Sequence, residues 1–159
     1  MLQNVGDISN IKLIDFGLSK DIQQRGMIKS LCSGSPFYIA PEVISCRLSL
    51  ACDMWSLGVV MYVALSGKLP FPGESTQEIF ENVIQKELDI EGDMDMSQVS
   101  PEAKHLLSLI MNKDPNRRIS PVDALQHPWF RLFEEGGRLY RDKEYEMYRH
   151  EGLQGALKA

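Results

Sequence analysis

Cysteine is scarce in this chain, and the three present fit no framework. Cys32, Cys46 and Cys52 are odd in number and form no C-x-x-C, which argues against a disulfide scaffold and against the common zinc and dithiol motifs. No signal-peptide pattern opens the sequence, so a reduced, intracellular and cytoplasmic setting is the expectation. Long apolar runs are missing too. The longest, Met54 to Leu65, is broken by Ser56 and Gly58 and falls short of the roughly 20 residues that span a bilayer. No membrane partner is expected. Charge of one sign is not in large excess: 17 basic against 22 acidic residues leave a net charge of −5, which draws the chain toward neither nucleic acid nor an anionic surface. Glycine never falls into G-x-G-x-x-G, so no glycine-rich phosphate cradle is present. Asp93-Met94-Asp95-Met96-Ser97 opens like a calcium loop, but Gln98 and Lys104 stand where such a loop needs its Gly and Glu. No internal repeat or low-complexity tract occurs.

What is present reads as one domain. The 159 residues are 43% hydrophobic and 25% charged, enough for a real core. Ile11-Lys12-Leu13-Ile14 has the bias of a short strand, with turn chemistry before it at Gly6-Asp7-Ile8-Ser9-Asn10, so a small hairpin is expected. Residues 18–39 show no sustained period and read as a long loop of the kind that carries function. From Pro41 the signals turn helical. Pro41-Glu42-Val43-Ile44 opens a short helix with Pro where its missing N–H costs nothing. Cys52 to Ser66 is apolar on all faces, as a helix inside a core would be, and Gly67 can end it. Ser75 or Thr76 can cap a helix to about Lys86, while Ser100-Pro101 and Ser120-Pro121 start two more. Residues 131–159 carry six basic and six acidic side chains, the mark of a solvated surface helix or tail, with a regulatory helix as the alternative.

The chemistry-bearing motifs come in order. Asp15-Phe16-Gly17 follows the strand and begins the loop; alone, it is matched by any Asp in a strand-ending turn. Gly34-Ser35-Pro36-Phe37-Tyr38-Ile39-Ala40-Pro41-Glu42 closes the loop. Asp53-Met54-Trp55-Ser56-Leu57-Gly58 starts the buried helix, and Leu69-Pro70-Phe71 follows it. Asp114-Pro115-Asn116-Arg117-Arg118-Ile119-Ser120 and His127-Pro128-Trp129-Phe130 come last. Together they resemble the second half of a protein kinase catalytic domain, over about residues 1–131. The style is closest to the calcium/calmodulin-dependent and calcium-dependent protein kinases. The fold this implies is mainly α: a kinase large lobe with a short N-terminal β-hairpin, an activation segment at 15–42, a helical subdomain at 43–131 and a tail at 132–159. The small lobe and catalytic loop are expected to be absent.

The resemblance implies roles residue by residue. Asp15 would ligate Mg2+ on the phosphates of ATP, because a hard oxygen donor suits that ion. Met1 and Ile14 would lie beside the nucleotide. Ser35 would touch the missing catalytic loop, with Pro36 and Phe37 positioning a serine/threonine substrate. Glu42 would pair with Arg118 in the interior, the alternative being two exposed charges of little worth. Asp53 would brace the catalytic loop, and Trp55 would anchor the core. Glu81 sits on the helix after Pro70-Phe71, inside a stretch from Glu74 to Glu102 with nine acidic residues. That face suits a basic protein substrate, or is simply solvated. Ser30 and Ser33 are the phosphorylation candidates, although one apparent extra residue in Ser30-Leu31-Cys32-Ser33-Gly34-Ser35-Pro36 blurs their register.

The resemblance also shows what is not here. The sequence contains no V-A-I-K and no H-R-D, and His105, His127 and His150 stand in other contexts. Phosphoryl transfer is mostly positioning and electrostatics, so a chain without those groups is expected to be inactive unless its N-terminal half is supplied. Two functions from different classes follow. One is a fragment of an ATP-dependent protein serine/threonine kinase. The other is a catalytically dead lobe that binds substrates or regulators. Exposed apolar residues around Ile11–Phe16 and marginal stability are expected in either case.

Overall fold

The computed structural model describes residues 2–4, 7–19, 34–90, 96–97 and 99–131. Strands β1 (Leu2–Asn4) and β2 (Asp7–Ile11) form an antiparallel pair, Leu2 opposite Ile11 and Asn4 opposite Asp7, with a register shift between Leu2 and Asn4. The expected short hairpin is present, and only the position of its strands is corrected. The second strand occupies 7–11, where turn composition suggested the reversal, and Lys12 to Ile14 lie outside it. The reason is physical: a two-stranded ladder is held by backbone hydrogen bonds, which Asp, Ser and Asn can make as well as apolar residues, and strand preference follows packing more than composition.

The helical body begins with a 3-10 turn at Pro36–Tyr38 and α1 at Pro41–Ile44. Helix α2 runs Ala51–Ser66, α3 Thr76–Gln85, α4 Pro101–Ile110, α5 Pro121–Leu125 and α6 Pro128–Arg131. Three of these helices start on serine. The side chains of Ser75, Ser100 and Ser120 accept the N–H of Glu78, Ala103 and Asp123, each satisfying a donor the helix cannot. Pro101 and Pro121 sit in the first turn, as the sequence signature required. Gly67 closes α2 at φ 74 with its N–H on Val63 O, a left-handed position that costs glycine nothing.

The core centres on α2. Trp55 and Val59 are fully buried, joined by Met54, Tyr62, Phe71, Val83, Leu106, Leu107 and Ile110. Gly58 lets α4 close on α2: a Cβ there would stand 2.6 Å from Met111 Cγ and 2.7 Å from Ile110 Cγ2. The apolar character of α2 on all faces leads to an unusual consequence. Its outer stripe, Asp53, Leu57, Val60 and Ala64, lies in solvent, with Leu57 and Val60 each 52% exposed. Leu13, Ile14, Phe16 and Leu18 are exposed as well.

Candidate functional site

Asp15 is held at φ 64, a left-handed conformation that Asp tolerates better than most residues. Its Oδ1 accepts the N–H of Gly17 at 3.2 Å, a local turn that fixes the carboxylate just beyond the end of the hairpin. Among the described residues no other hydrogen bond reaches this carboxylate, and the side chain is exposed. The donor chemistry therefore fits one ligand of a hard cation, with Oδ2 open to it. No group of three or more His, Cys, Asp or Glu able to hold a metal occurs among the described residues, so Mg2+ here would need oxygens from the nucleotide it accompanies. When bound, that ion would neutralise phosphate charge. Ile14 precedes Asp15 with its side chain in solvent. Met1, Ser30 and Ser33 lie outside the described residues, as do Cys32, Asp93 to Asp95, Gln98 and the tail 132–159.

The segment around Ser35 is anchored more firmly. Ser35 is exposed and caps the turn Pro36–Tyr38 through its backbone, Tyr38 N–H donating to Ser35 O at 3.1 Å. Phe37 packs against the core from its edge. Ser56 on α2 donates its hydroxyl to Tyr38 O at 2.8 Å, pinning this loop to the central helix. The sequence reading gave Ser56 no role. Its signal was a hydroxyl inside the apolar run Met54–Leu65, but a bond back to Cys52 O (3.3 Å) would explain such a residue equally well.

Beneath the loop lies a buried charge cluster. Arg118 Nη1 donates to Glu42 Oε1 at 2.6 Å and Nη2 to Oε2 at 2.9 Å, a bidentate pair with both side chains almost wholly buried. Two further guanidinium donors go to backbone oxygens, Nε to Asn112 O at 2.9 Å and Nη1 to Ala51 O at 2.7 Å. Ser49 adds a longer bond to Glu42 Oε1 at 3.4 Å. The Arg118 plane sits 5.3 Å over the Trp55 ring, and Trp55 stacks on Phe71 at 5.9 Å. Trp55 Nε1 is buried with no hydrogen-bond partner among the described residues, a cost the surrounding packing must offset. One residue from Asp53, the Cys52 thiol is pushed up to about 11, first by burial and then by the Asp53 and Glu42 charges. It is no reactive nucleophile.

The structure thus joins Glu42, Arg118 and Trp55. Asp53 is exposed, and among the described residues its carboxylate meets only the Cys52 thiol at 3.8 Å. Asp15 and Ser35 share no hydrogen bond. Glu81 is exposed on α3, where its Oε1 accepts from Gln77 Nε2 at 2.9 Å.

Comparison with known proteins decides the family. The family model described as a protein kinase domain matches residues 1–130. The chain belongs to the protein kinase family. It is 38% identical over 137 residues to calcium-dependent protein kinase 33 of Arabidopsis thaliana, an alignment covering 86% of this chain and 25% of that protein. It is 41% identical over 128 residues to calcium-dependent protein kinase 25 of the same plant, covering 80% and 24%. It is 39% identical over 132 residues to the death-associated protein kinase dapk-1 of Caenorhabditis elegans, covering 82% and 9%. The chain spans about a quarter or less of the length of these relatives. Its kinship is with serine/threonine kinases of the calcium-dependent type, and the mainly helical architecture is that of a kinase large lobe.

Proposed function

We propose that this chain is the large-lobe portion of an ATP-dependent protein serine/threonine kinase, and that it transfers no phosphate by itself. The observation that carries this reading is Asp15. A single exposed carboxylate, braced by Gly17, offers one oxygen to a metal–nucleotide complex, and the sequence supplies no H-R-D carboxylate and no V-A-I-K lysine to position the phosphates. Ser35, Pro36 and Phe37 form the substrate-facing edge, held by Ser56 against α2 and by the Glu42–Arg118 pair below. The exposed stripe Leu57, Val60 and Ala64, with Asp53 at its head, is the surface on which the remaining half of the kinase would seat. Protein substrates follow from the family. ATP and Mg2+ would be held by the completed kinase and only weakly by this chain. An intracellular, cytoplasmic setting belongs to the same proposal.

The test is Asp15→Asn in the chain covalently joined to a kinase N-terminal half. Loss of the charge should lower transfer from ATP by about 10²-fold or more, on the scale of removing one preorganised electrostatic group, with the thermal melt unchanged because the side chain is exposed. Activity within about twofold of the unsubstituted fusion would remove Asp15 from the reaction.

The acidic helix α3 supports a basic protein substrate. Glu78 and Glu81 are exposed on it and Glu74 just before it, although Glu78 Oε2 also accepts the Glu74 N–H at 2.9 Å. Glu81→Gln keeps the bond to Gln77 and removes the charge. In the joined kinase it should raise KM for an arginine-containing peptide several-fold at low salt, with kcat nearly unchanged, an effect that fades as salt screens the field. Equal KM values for the two proteins would leave α3 as solvated surface.

A further inference from the structure

Two imidazoles meet directly between α4 and the α5–α6 link. His105 Nδ1, on α4, lies 2.8 Å from His127 Nε2, in the link between α5 and α6, with ring centroids 5.1 Å apart. The second nitrogen of His127 is also committed: Nδ1 accepts the Trp129 N–H at 3.2 Å. A neutral imidazole that accepts at Nδ1 carries its proton on Nε2. His127 therefore donates to His105, and both tautomers are set by the chain itself. Through this bond α4 holds the start of α6, whose Trp129 and Phe130 lean half-buried on the core. His127 is buried at 6% exposure. His105 is exposed and lines a cavity of about 550 Å³ together with Asp89, Lys104 and Ser108, roomy enough for water to deliver a proton.

We propose that the His105–His127 pair is an acid-operated fastener, in which one proton on either ring breaks a hydrogen bond and frees α6 from α4. A proton on His105 Nδ1 sets two N–H groups face to face. A proton on His127 Nδ1 evicts the Trp129 N–H. The surrounding charges do not cancel this. Burial, then the neighbouring His105, hold His127 below the ordinary histidine range, and the Glu102 carboxylate of α4 opposes them only in part. Lys104 on α4 and Asp89 across the cavity flank His105 with opposite signs. On α5, Asp123 is engaged by the Ser120 hydroxyl at 2.6 Å, and α6 brings no titratable group among the described side chains. The sign follows from linkage. A histidine whose folded value is lowered binds its proton more readily in the opened state. The fastener's contribution is therefore complete above the ordinary value near ~6.5 and is lost as pH falls below it.

The test uses the full 159-residue chain, with amide exchange at Trp129 and Phe130 corrected for intrinsic pH dependence and the His127 ring followed by NMR. Between pH 7.5 and 5.5 the protection of these amides should fall about tenfold, the equivalent of one unit of proton linkage, and His127 should titrate below the ordinary range. His105→Asn keeps an acceptor oxygen and removes one of the two imidazoles, so its loss of protection should be smaller. His127→Asn keeps an acceptor for the Trp129 N–H and removes the other ring, so its pH-dependent loss should likewise be smaller than that of the unsubstituted chain. Should His127→Asn fail to fold, the exposed His105→Asn still decides. Equal loss of protection in wild type and His105→Asn, or a His127 that titrates at or above the ordinary value, overturns the proposal.

Discussion

Arg118→Ala is expected to cost the lobe about 3–5 kcal/mol, the usual consequence of stranding one partner of a buried ion pair. The structure shows why the effect should sit at the upper end. The substitution leaves Glu42, 6% exposed, facing the interior with no guanidinium, and it orphans the carbonyls of Asn112 and Ala51. It also removes the cation stacked over Trp55. Against a total stability of about 5–15 kcal/mol, that is a large share. A chain of this size loses about 2–4 °C of Tm per kcal/mol, so a fall of roughly 6–20 °C is expected. Glu42→Gln should cost less, because Arg118 keeps its two carbonyl acceptors and one side-chain oxygen. Arg117→Ala, at an exposed neighbour, should stay within about 0.5 kcal/mol of wild type. Melts followed by circular dichroism separate the three. Equal melts for Arg118→Ala and Arg117→Ala would show that the pair stabilises nothing.

The second large effect is expected at Gly58. Alanine in a helix interior normally gains about 0.5–1 kcal/mol over glycine, so on helix propensity alone Gly58→Ala should stabilise. The packing reverses that sign. The new methyl would stand 2.6 Å from Met111 Cγ and 2.7 Å from Ile110 Cγ2. Met111 is flexible and can give way. Ile110 is β-branched, stiff inside α4 and 3% exposed, so α4 itself must move off α2. Overpacking of this kind costs about 1–3 kcal/mol, and Gly58→Val should cost more than Gly58→Ala. A Gly58→Ala protein that melts higher than wild type would mean the two helices are not in contact there.

The helix starts were legible because they are local chemistry. Ser75, Ser100 and Ser120 stand where helices need a side-chain acceptor, and each makes that bond. The Glu42–Arg118 pair was legible only through family resemblance, since 76 residues separate its members. Its carbonyl partners at Ala51 and Asn112 could not be read at all, because every residue has a carbonyl and only folding chooses which ones converge. The same holds for His105 and His127, 22 residues apart. The hairpin itself was legible but its strand positions were not, for a related reason: turn-forming residue types at Asp7, Ser9 and Asn10 do not prevent backbone pairing. The exposed stripe on α2 was hidden by its own composition. A helix apolar on every side reads as buried, and Leu57 and Val60 show the outer face without a covering layer.

That uncovered face leads to the most direct test of the reading as a kinase lobe awaiting its other half. The measurement is phosphate transfer from radiolabelled ATP to a serine-containing basic peptide, by this chain alone and mixed with a separately produced kinase N-terminal half. The expected result is background for the chain alone, transfer in the mixture, and loss of that transfer with Val60→Lys, which charges the exposed stripe, or with Asp15→Asn. Robust transfer by the chain alone, or complementation indifferent to both substitutions, would contradict it.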